Sequence, residues 1–246
     1  MAITFAAANF SAVQFGAAST TLGIQLPTDV PTDAAIFLIV HNRTNETAVI
    51  SGIADGAAAN TWTLGTVVRQ GPNDHSTVSM RSWVIVLTNA VALSGAANRL
   101  VTVTFDGAIT SQGAGGWVSS DQGAMTFGNV GTFTDKTAND TTFQTNSVSP
   151  AGASGVIIAG GAAANSQGAA PTAGGSDTML TTHGAGMRVW QQGRVFSSSG
   201  TYDCSATLAA NSATNNHILY LDEPGGAALS IVPTLIQNYR NMGIMQ

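Results

Sequence analysis

The chain has 246 residues, a net charge of −5 at neutral pH and a single cysteine, and only 9% of its residues are charged. Ordinary soluble domains carry about 25% charged residues. The lone Cys204 excludes an intramolecular disulfide framework. The eight basic residues form no run, so the sequence lacks the clustered positive charge with which nucleic-acid-binding proteins displace counterions.

The N-terminus and the apolar runs indicate where the protein is made. The first residues, "MAITFAAANFSAVQFG", lack the positively charged start of a secretory signal. The longest apolar run, "AAIFLIV" (34–40), is much shorter than the roughly 20 residues of a membrane helix. We therefore expect a soluble protein made in the cytoplasm. Its surface must consist largely of neutral hydroxyl, amide and small side chains, which cost less to desolvate than charges and suit packing against other protein.

Strand signals separated by turn residues recur along the chain. In order they are "AIFLIVHN" (35–42), "TAVISGI" (47–53), "TWTLGTVVRQ" (61–70), "STVSMRSWVIVLT" (76–88), "RLVTVTFDG" (99–107), "GGWVSSDQ" (115–122), "GVIIAGG" (155–161), "GMRVWQQGRVFSSSG" (186–200) and "HILYLDEPGG" (217–226). The fifth alternates cleanly, with Val101, Val103 and Phe105 on one face. About nine strands without helical periodicity before the end predict an all-β, jelly-roll-like β-sandwich.

We expect one sandwich domain over residues 1–228, with the segment 1–30 as a candidate attachment arm. Two small-residue patches, 123–150 and 161–182, interrupt the strand pattern. They are interpreted as long loops rather than linkers, because the pattern resumes on both sides and neither patch is enriched in charge or proline.

The last residues, 229–246, change in character. Pro233 fits the first position of a helix and Gly243 fits its C-cap. Four apolar residues between them share one helical face, namely Leu235, Ile236, Tyr239 and Met242. Two interpretations stay open: a helix that closes the chain's own core, and an apolar arm whose four residues form an interface with a neighbouring subunit.

Carboxylate chemistry finds little support in the sequence. Glycosidases generally need two closely placed carboxyl groups, and the chain has only two glutamates, Glu46 and Glu223, both in predicted turns. Asp106 stands where a strand is predicted to end, which is a common position for a capping side chain.

Metal and thiol chemistry are equally weakly indicated. The histidines His41, His75, His183 and His217 are scattered and show no metal-ligand spacing. Cys204 has no cation near it in sequence that would lower its pKa. We therefore predict no catalytic residue, no metal site and no cofactor, and a protein that is not an enzyme.

Tryptophans offer the one candidate ligand contact. Trp83 shares a strand face with Ile85 and Leu87, which indicates a core position. Trp117 follows "GAGG" and Trp62 lies between threonines, so these two are the candidates for stacking on carbohydrate, with burial in a core or interface as the alternative.

The series "TWTLGT…MRSWVIVLTNAVALSGAANRLVTVTFDG…GGWVSSDQ" resembles a loose group of bacteriophage virion proteins with jelly-roll-like modules. A Trp-bearing strand, a Trp or Tyr strand ending near L-S-G/A and a V-T-V-T-F-x-G strand recur in that group. The resemblance covers residues 33–122 and, more faintly, the strands up to residue 222. It rests on strand motifs, not on active-site motifs.

The resemblance implies a structural protein of the virion. It would attach to the particle surface as a capsid decoration or cement protein or as a head-fibre component, with other virion proteins and copies of itself as partners. The alternative is a tail-fibre or spike adhesin module that binds host-surface carbohydrate. Neither alternative involves nucleic acid or insertion into a membrane.

Overall fold

The computed structural model describes residues 10–13, 17–42, 48–62, 67–70, 81–119, 125–130, 136–183 and 189–223. These residues contain fifteen β-strands and no helix. The strands are β1 (Phe10–Val13), β2 (Ser19–Gln25), β3 (Ile36–Asn42), β4 (Ile50–Asp55), β5 (Val67–Gln70), β6 (Arg81–Leu87), β7 (Leu100–Ile109), β8 (Ser111–Val118), β9 (Thr126–Val130), β10 (Lys136–Gln144), β11 (Gly155–Ala163), β12 (Thr172–Ala173), β13 (Thr178–His183), β14 (Val189–Phe196) and β15 (Ser205–Asp222).

The strands form three antiparallel sheets. The front sheet has the order β2-β7-β4, and the middle sheet has the order β1-β8-β3-β6-β5. The back sheet has the order β10-β15-β11-β14-β13, and β9 and β12 also pair with β15. The chain crosses from the front to the middle sheet between β7 and β8, which only Thr110 separates.

The central strands of the middle sheet, β3, β6 and β8, are buried on both faces where the structure describes their side chains. Side chains of a strand point alternately to its two sides. On β3, Ile36 and Leu38 join a core with the front sheet, whereas Phe37 and Ile39 join a second core with β11 and β15 of the back sheet. This double coverage explains why "AIFLIV" is apolar at every position and does not alternate.

Around β11, the outer face of the back sheet is covered by connecting segments and by Phe196 of β14. Ile157 of β11 and Ile218 of β15 pack against Val148 and Phe196, and an isolated bridge pairs Val148 with Tyr202. The residues from Gly155 to Ala163 are therefore all buried. Like β3, the apolar β11 is a strand with no solvent-facing side.

The predicted all-β sandwich is confirmed, with a third sheet added to it. The strands outnumber the predicted nine by six, of which β1 and β2 lie in the segment 1–30. The patch 123–150 contains β9 and β10, and the patch 161–182 contains β12 and part of β13. These segments have weak strand propensity, and pairing with the long β15 or with β14 holds them in the back sheet. The predicted C-terminal helix or arm, 229–246, lies outside the described residues.

The N-terminal segment contributes two strands to the sheets in the residues that the structure describes. β1 pairs with β8, with Phe10 opposite Trp117, and β2 pairs with β7. Ile24 and Leu26 are fully buried in the core between the front and middle sheets. Residues 10–13 and 17–30 of the candidate attachment arm thus hold this chain's own sheets together.

Candidate functional site

Three connections meet at one end of the front and middle sheets. They are residues 26–35 between β2 and β3, 56–62 after β4, and 88–99 between β6 and β7. The strand registers bring them together, because Gln25 pairs with Leu100, and Ile36 pairs with Leu87. We call these three connections the loop end.

Backbone hydrogen bonds join the first and third connections. Val30 and Leu93 exchange two bonds of 2.9 and 3.0 Å, and the Asp33 amide donates to the Ala90 carbonyl at 2.8 Å. The Arg99 guanidinium lies 3.1 Å from the Asp29 carboxylate and also donates to the Leu26 carbonyl at 3.1 Å. The connections are thereby held like paired strands rather than as free loops.

The second connection, residues 56–62, is ordered by two polar side chains. The Asp55 carboxylate accepts hydrogen bonds from the Ala59 and Asn60 amides at 3.0 Å and from the Trp62 indole at 2.9 Å. The Asn60 side chain accepts from the Val91 amide at 2.7 Å and donates to the Val91 carbonyl at 3.4 Å. The Asn60 side chain thus bonds both backbone polar groups of Val91, as a residue of a neighbouring strand would.

The pKa of the Asp55 carboxyl follows from this environment. Burial acts to raise the pKa, but the hydrogen bonds from Ala59, Trp62 and Asn60 outweigh it and lower the pKa below its ordinary value. Asp55 is therefore a structural anion at neutral pH, and its charge is taken up inside the loop end rather than offered to a ligand.

Backbone strain is concentrated here. The three described non-glycine residues with positive φ are Asp33 at 63°, Ala58 at 51° and Asn89 at 57°, one in each connection. Asp and Asn tolerate this conformation, whereas alanine pays a steric penalty of about 1–2 kcal/mol. Such strain persists where the surrounding structure over-determines the backbone, which is common at functional surfaces.

The surface of the loop end consists mainly of small uncharged groups. Val91 is 51% exposed, and Leu100, the first residue of β7, is 40% exposed. Further exposed residues with methyl side chains are Ala57, Ala58, Ala59, Ala92, Ala96 and Ala97. Of the ionisable groups, Arg99 and Asp29 are paired with each other, Asp55 is buried, and Asp33 is exposed.

The two candidate carbohydrate-contact tryptophans have different positions. Trp117 on β8 is fully buried between the middle and back sheets, so its ring has no exposed face for a sugar, and its candidacy is corrected to a core role. Trp62 lies at the loop end and is half-buried against the core between the front and middle sheets, which we call the front core. Its indole is hydrogen-bonded to Asp55. Trp83 is buried against Phe105, as its strand face predicted.

The described carboxylates outside the loop end have structural partners. Asp106 lies inside β7 rather than at its end, and it accepts a 2.8 Å hydrogen bond from the Val49 amide. Glu223 accepts a hydrogen bond from the Ser154 hydroxyl. Glu46 and the four interface candidates Leu235, Ile236, Tyr239 and Met242 lie outside the described residues.

Cys204 belongs to a buried network behind the back sheet. Burial raises the pKa of its thiol, and the negative charge of Asp177 raises it further. Asp177 lies 3.5 Å from the Arg194 guanidinium and accepts a 2.7 Å hydrogen bond from Gln192. A buried protonated thiol beside an anion is a weak nucleophile. The bonds of Asp177 to Arg194 and Gln192 join β14 to the chain before β13.

The described residues contain no group of three or more His, Cys, Asp or Glu side chains arranged to hold a metal ion. None of the described segments is a helix long and apolar enough to cross a membrane.

Fold and surface together define the class of this chain as an all-β protein of three stacked antiparallel sheets. No protein-family model matches it, and neither a curated protein nor a solved structure shows significant similarity to it.

The sequence interpretation did not single out the loop end, although a signal was present. "GAAAN" (56–60) and "GAAN" (95–98) occur in two of the connections. In each, the asparagine hydrogen-bonds a backbone carbonyl within the loop end, Asn60 to Val91 and Asn98 to Ser94. The run is not specific to the loop end, because "GAAAN" also occurs at 161–165, where its first three residues belong to β11.

Proposed function

We propose that this protein is a non-enzymatic structural component of a phage particle, attached to the particle surface as a capsid decoration or cement protein or as a head-fibre component. The observation that carries the proposal is the loop end, where a hydrogen-bonded backbone presents small uncharged side chains. The resemblance of the strand motifs to those of phage virion proteins is the reason for choosing a particle as its partner.

The energetics of such a surface favour contact with protein. Methyl groups and neutral side chains cost little to desolvate, whereas each charge brought out of water without a partner costs several kcal/mol or more. A backbone already held by hydrogen bonds such as that between Val30 and Leu93 loses little conformational freedom on binding. Both terms reduce the cost of association at the loop end.

Charge insertion tests the proposal. Ala97→Asp and Ala58→Asp place a charge on the loop end, and Ala209→Asp places one at an exposed position of β15 as the matched control. We expect the first two to abolish co-sedimentation with phage particles lacking the protein, while the control binds like the natural chain. Equal binding by all four proteins at equal folded content would contradict the proposed attachment.

Imaging of intact particles provides a second test. Many copies distributed over the head would agree with decoration, and a few copies at a vertex would agree with a head fibre. Absence of the protein from purified particles would exclude both.

An adhesin module that binds host-surface carbohydrate is the second candidate, and Trp62 is the residue that favours it. Trp62 is partly exposed, and the hydrogen bond to Asp55 holds its indole in one orientation. Under this function, Trp62→Ala would lose saturable binding to purified host polysaccharide, and Trp62→Phe, which keeps an aromatic face, would retain it. Unchanged binding by Trp62→Ala would remove this candidate.

A further inference from the structure

Two histidines from different sheets meet in the layer between the middle and back sheets. His41 on β3 and His217 on β15 are 1% and 0% exposed. Their ring centroids are 5.9 Å apart and the ring planes are tilted by 34°. Phe37, at 6.0 Å from His217, links the pair to the apolar part of the same layer.

Each ring is bonded to a neutral side chain of an adjacent strand. His41 Nδ1 lies 2.8 Å from the Ser82 hydroxyl. His217 Nε2 lies 3.0 Å from the side-chain oxygen of Gln191, and since an amide oxygen only accepts, His217 is the donor. Gly160 of β11 pairs with Gln191 on one side and with His217 on the other. A side chain at Gly160 would collide with the Gln191 side chain, so the glycine leaves room for the bond between Gln191 and His217.

The strands packed around the pair are β3, β6 and β8 on one side and β11, β14 and β15 on the other. Their other charged residues are Arg81, Arg194 and Asp222. Arg194 bonds to the Asp203 carbonyl on the outer face of the back sheet, and Asp222 lies beside Gly152. Arg81 is itself a cation. The flanking strands β5, β10 and β13 add Arg69, Lys136, Asp140 and His183.

In the folded protein, a proton bound to one of the two histidines opposes binding of a proton to the other. Two cations about 6 Å apart repel enough to weaken binding of the second proton by about a hundredfold, even at an effective dielectric constant of about 20. Burial adds to this, because the charged form of an imidazole loses its hydration there. The folded protein therefore holds at most one proton on the pair, whereas the unfolded chain binds two below about pH 6.5.

We propose that His41 and His217 form an acid-sensitive latch between the middle and back sheets. Neutral rings keep the sheets packed, and mild acid parts them as the pair is driven to take up protons. Since the folded state binds fewer protons, the latch is fully closed above about pH 6.5 and weakens as pH falls.

Urea unfolding between pH 7.5 and 5.0 tests the latch. For each proton that the unfolded chain binds and the folded protein does not, the unfolding equilibrium constant should rise by up to about tenfold for every pH unit by which the pH falls below about 6.5. His41→Gln and His217→Gln should each remove most of that slope. The double variant His75→Gln with His183→Gln, which alters the other two histidines, should retain it. An unchanged slope in both core variants would overturn the proposal.

A measurement on the natural chain covers the case in which a core variant does not fold. In proton NMR, the ring signals of His41 or His217 should remain those of neutral imidazole down to pH 5.5. Joint protonation of both near pH 6.5 would overturn the proposal. Hydrogen exchange, corrected for intrinsic rates, should increase more on acidification in β3 and β15 than in β7, and a uniform increase would contradict a latch at this interface.

Discussion

The Asp55 carboxylate and the Trp62 indole are joined by a 2.9 Å hydrogen bond at the end of β4, and the same carboxylate accepts the amides of Ala59 and Asn60. One side chain thereby closes the turn and fixes the orientation of the only tryptophan at the loop end. The charge of Asp55 serves the fold, and the methyl groups of the turn face outward.

Replacing Asp55 removes three hydrogen bonds to a buried charge. Because such bonds contribute about 1.5–3 kcal/mol each at most and are not additive, we expect Asp55→Ala to lower the free energy of unfolding by about 2–4 kcal/mol. Asp106→Ala is the matched control, since this exposed carboxylate accepts one amide in the same sheet and should cost about 1 kcal/mol or less. Equal losses in urea unfolding would contradict a special role for Asp55.

The same carboxylate contributes a pH dependence of known sign. Its pKa is lower in the folded protein than in the unfolded chain, so its stabilising contribution is complete above the unfolded value of about 3.9 and is lost as pH falls through the folded value. The difference in unfolding free energy between the natural chain and Asp55→Asn should be constant from pH 7 to 5 and shrink below about pH 4. A difference that grows in acid would show the opposite sign.

Ala58 adopts a left-handed backbone conformation that glycine adopts without strain. We therefore expect Ala58→Gly to raise the free energy of unfolding by up to about 1 kcal/mol, after allowing for the greater freedom of glycine in the unfolded chain. Ala57→Gly, next to it and equally exposed but without positive φ, should lower stability by about 0.5–1 kcal/mol. Thermal unfolding of the pair measures both, and the same sign for both would exclude relief of strain.

Gly160 is required for close packing around the histidine pair. A Cβ there would collide with the Trp190 carbonyl and lie 2.6 Å from the side-chain oxygen of Gln191. We expect Gly160→Ala to lower the free energy of unfolding by about 1–3 kcal/mol. Gly52→Ala on β4 is the control, because its nearest neighbouring atom would be 3.8 Å away, and it should be neutral or stabilising by up to about 1 kcal/mol. A neutral Gly160→Ala would contradict this packing.

Local sequence pattern was a good guide wherever one face of a strand meets water. The alternation of Val101, Val103 and Phe105 predicted β7 correctly, with all three side chains in the front core. The core position of Trp83 was predicted from its neighbours in the same way. The extent of β7 was not, because Asp106 looks like a strand end and instead accepts a hydrogen bond from Val49 within the sheet.

Patterns that depend on distant partners were not readable from the sequence. Trp117 follows glycines and was therefore a candidate for an exposed platform, but the back sheet covers it. β10, with Asn and Asp in its sequence, forms a strand because β15 supplies hydrogen bonds to it. The loop end has no long-range signal in the chain, since its three connections are brought together only by the strand registers.

By itself, the sequence determined an all-β protein with a nearly uncharged composition, because strand alternation and charge content are local properties of the chain. Only the tertiary structure decided that the sheets are three, that Trp117 is core, and that His41 and His217 face each other. The reason is that burial and the pairing of polar groups depend on which strands lie opposite one another, and that arrangement arises from contacts between residues far apart in the chain.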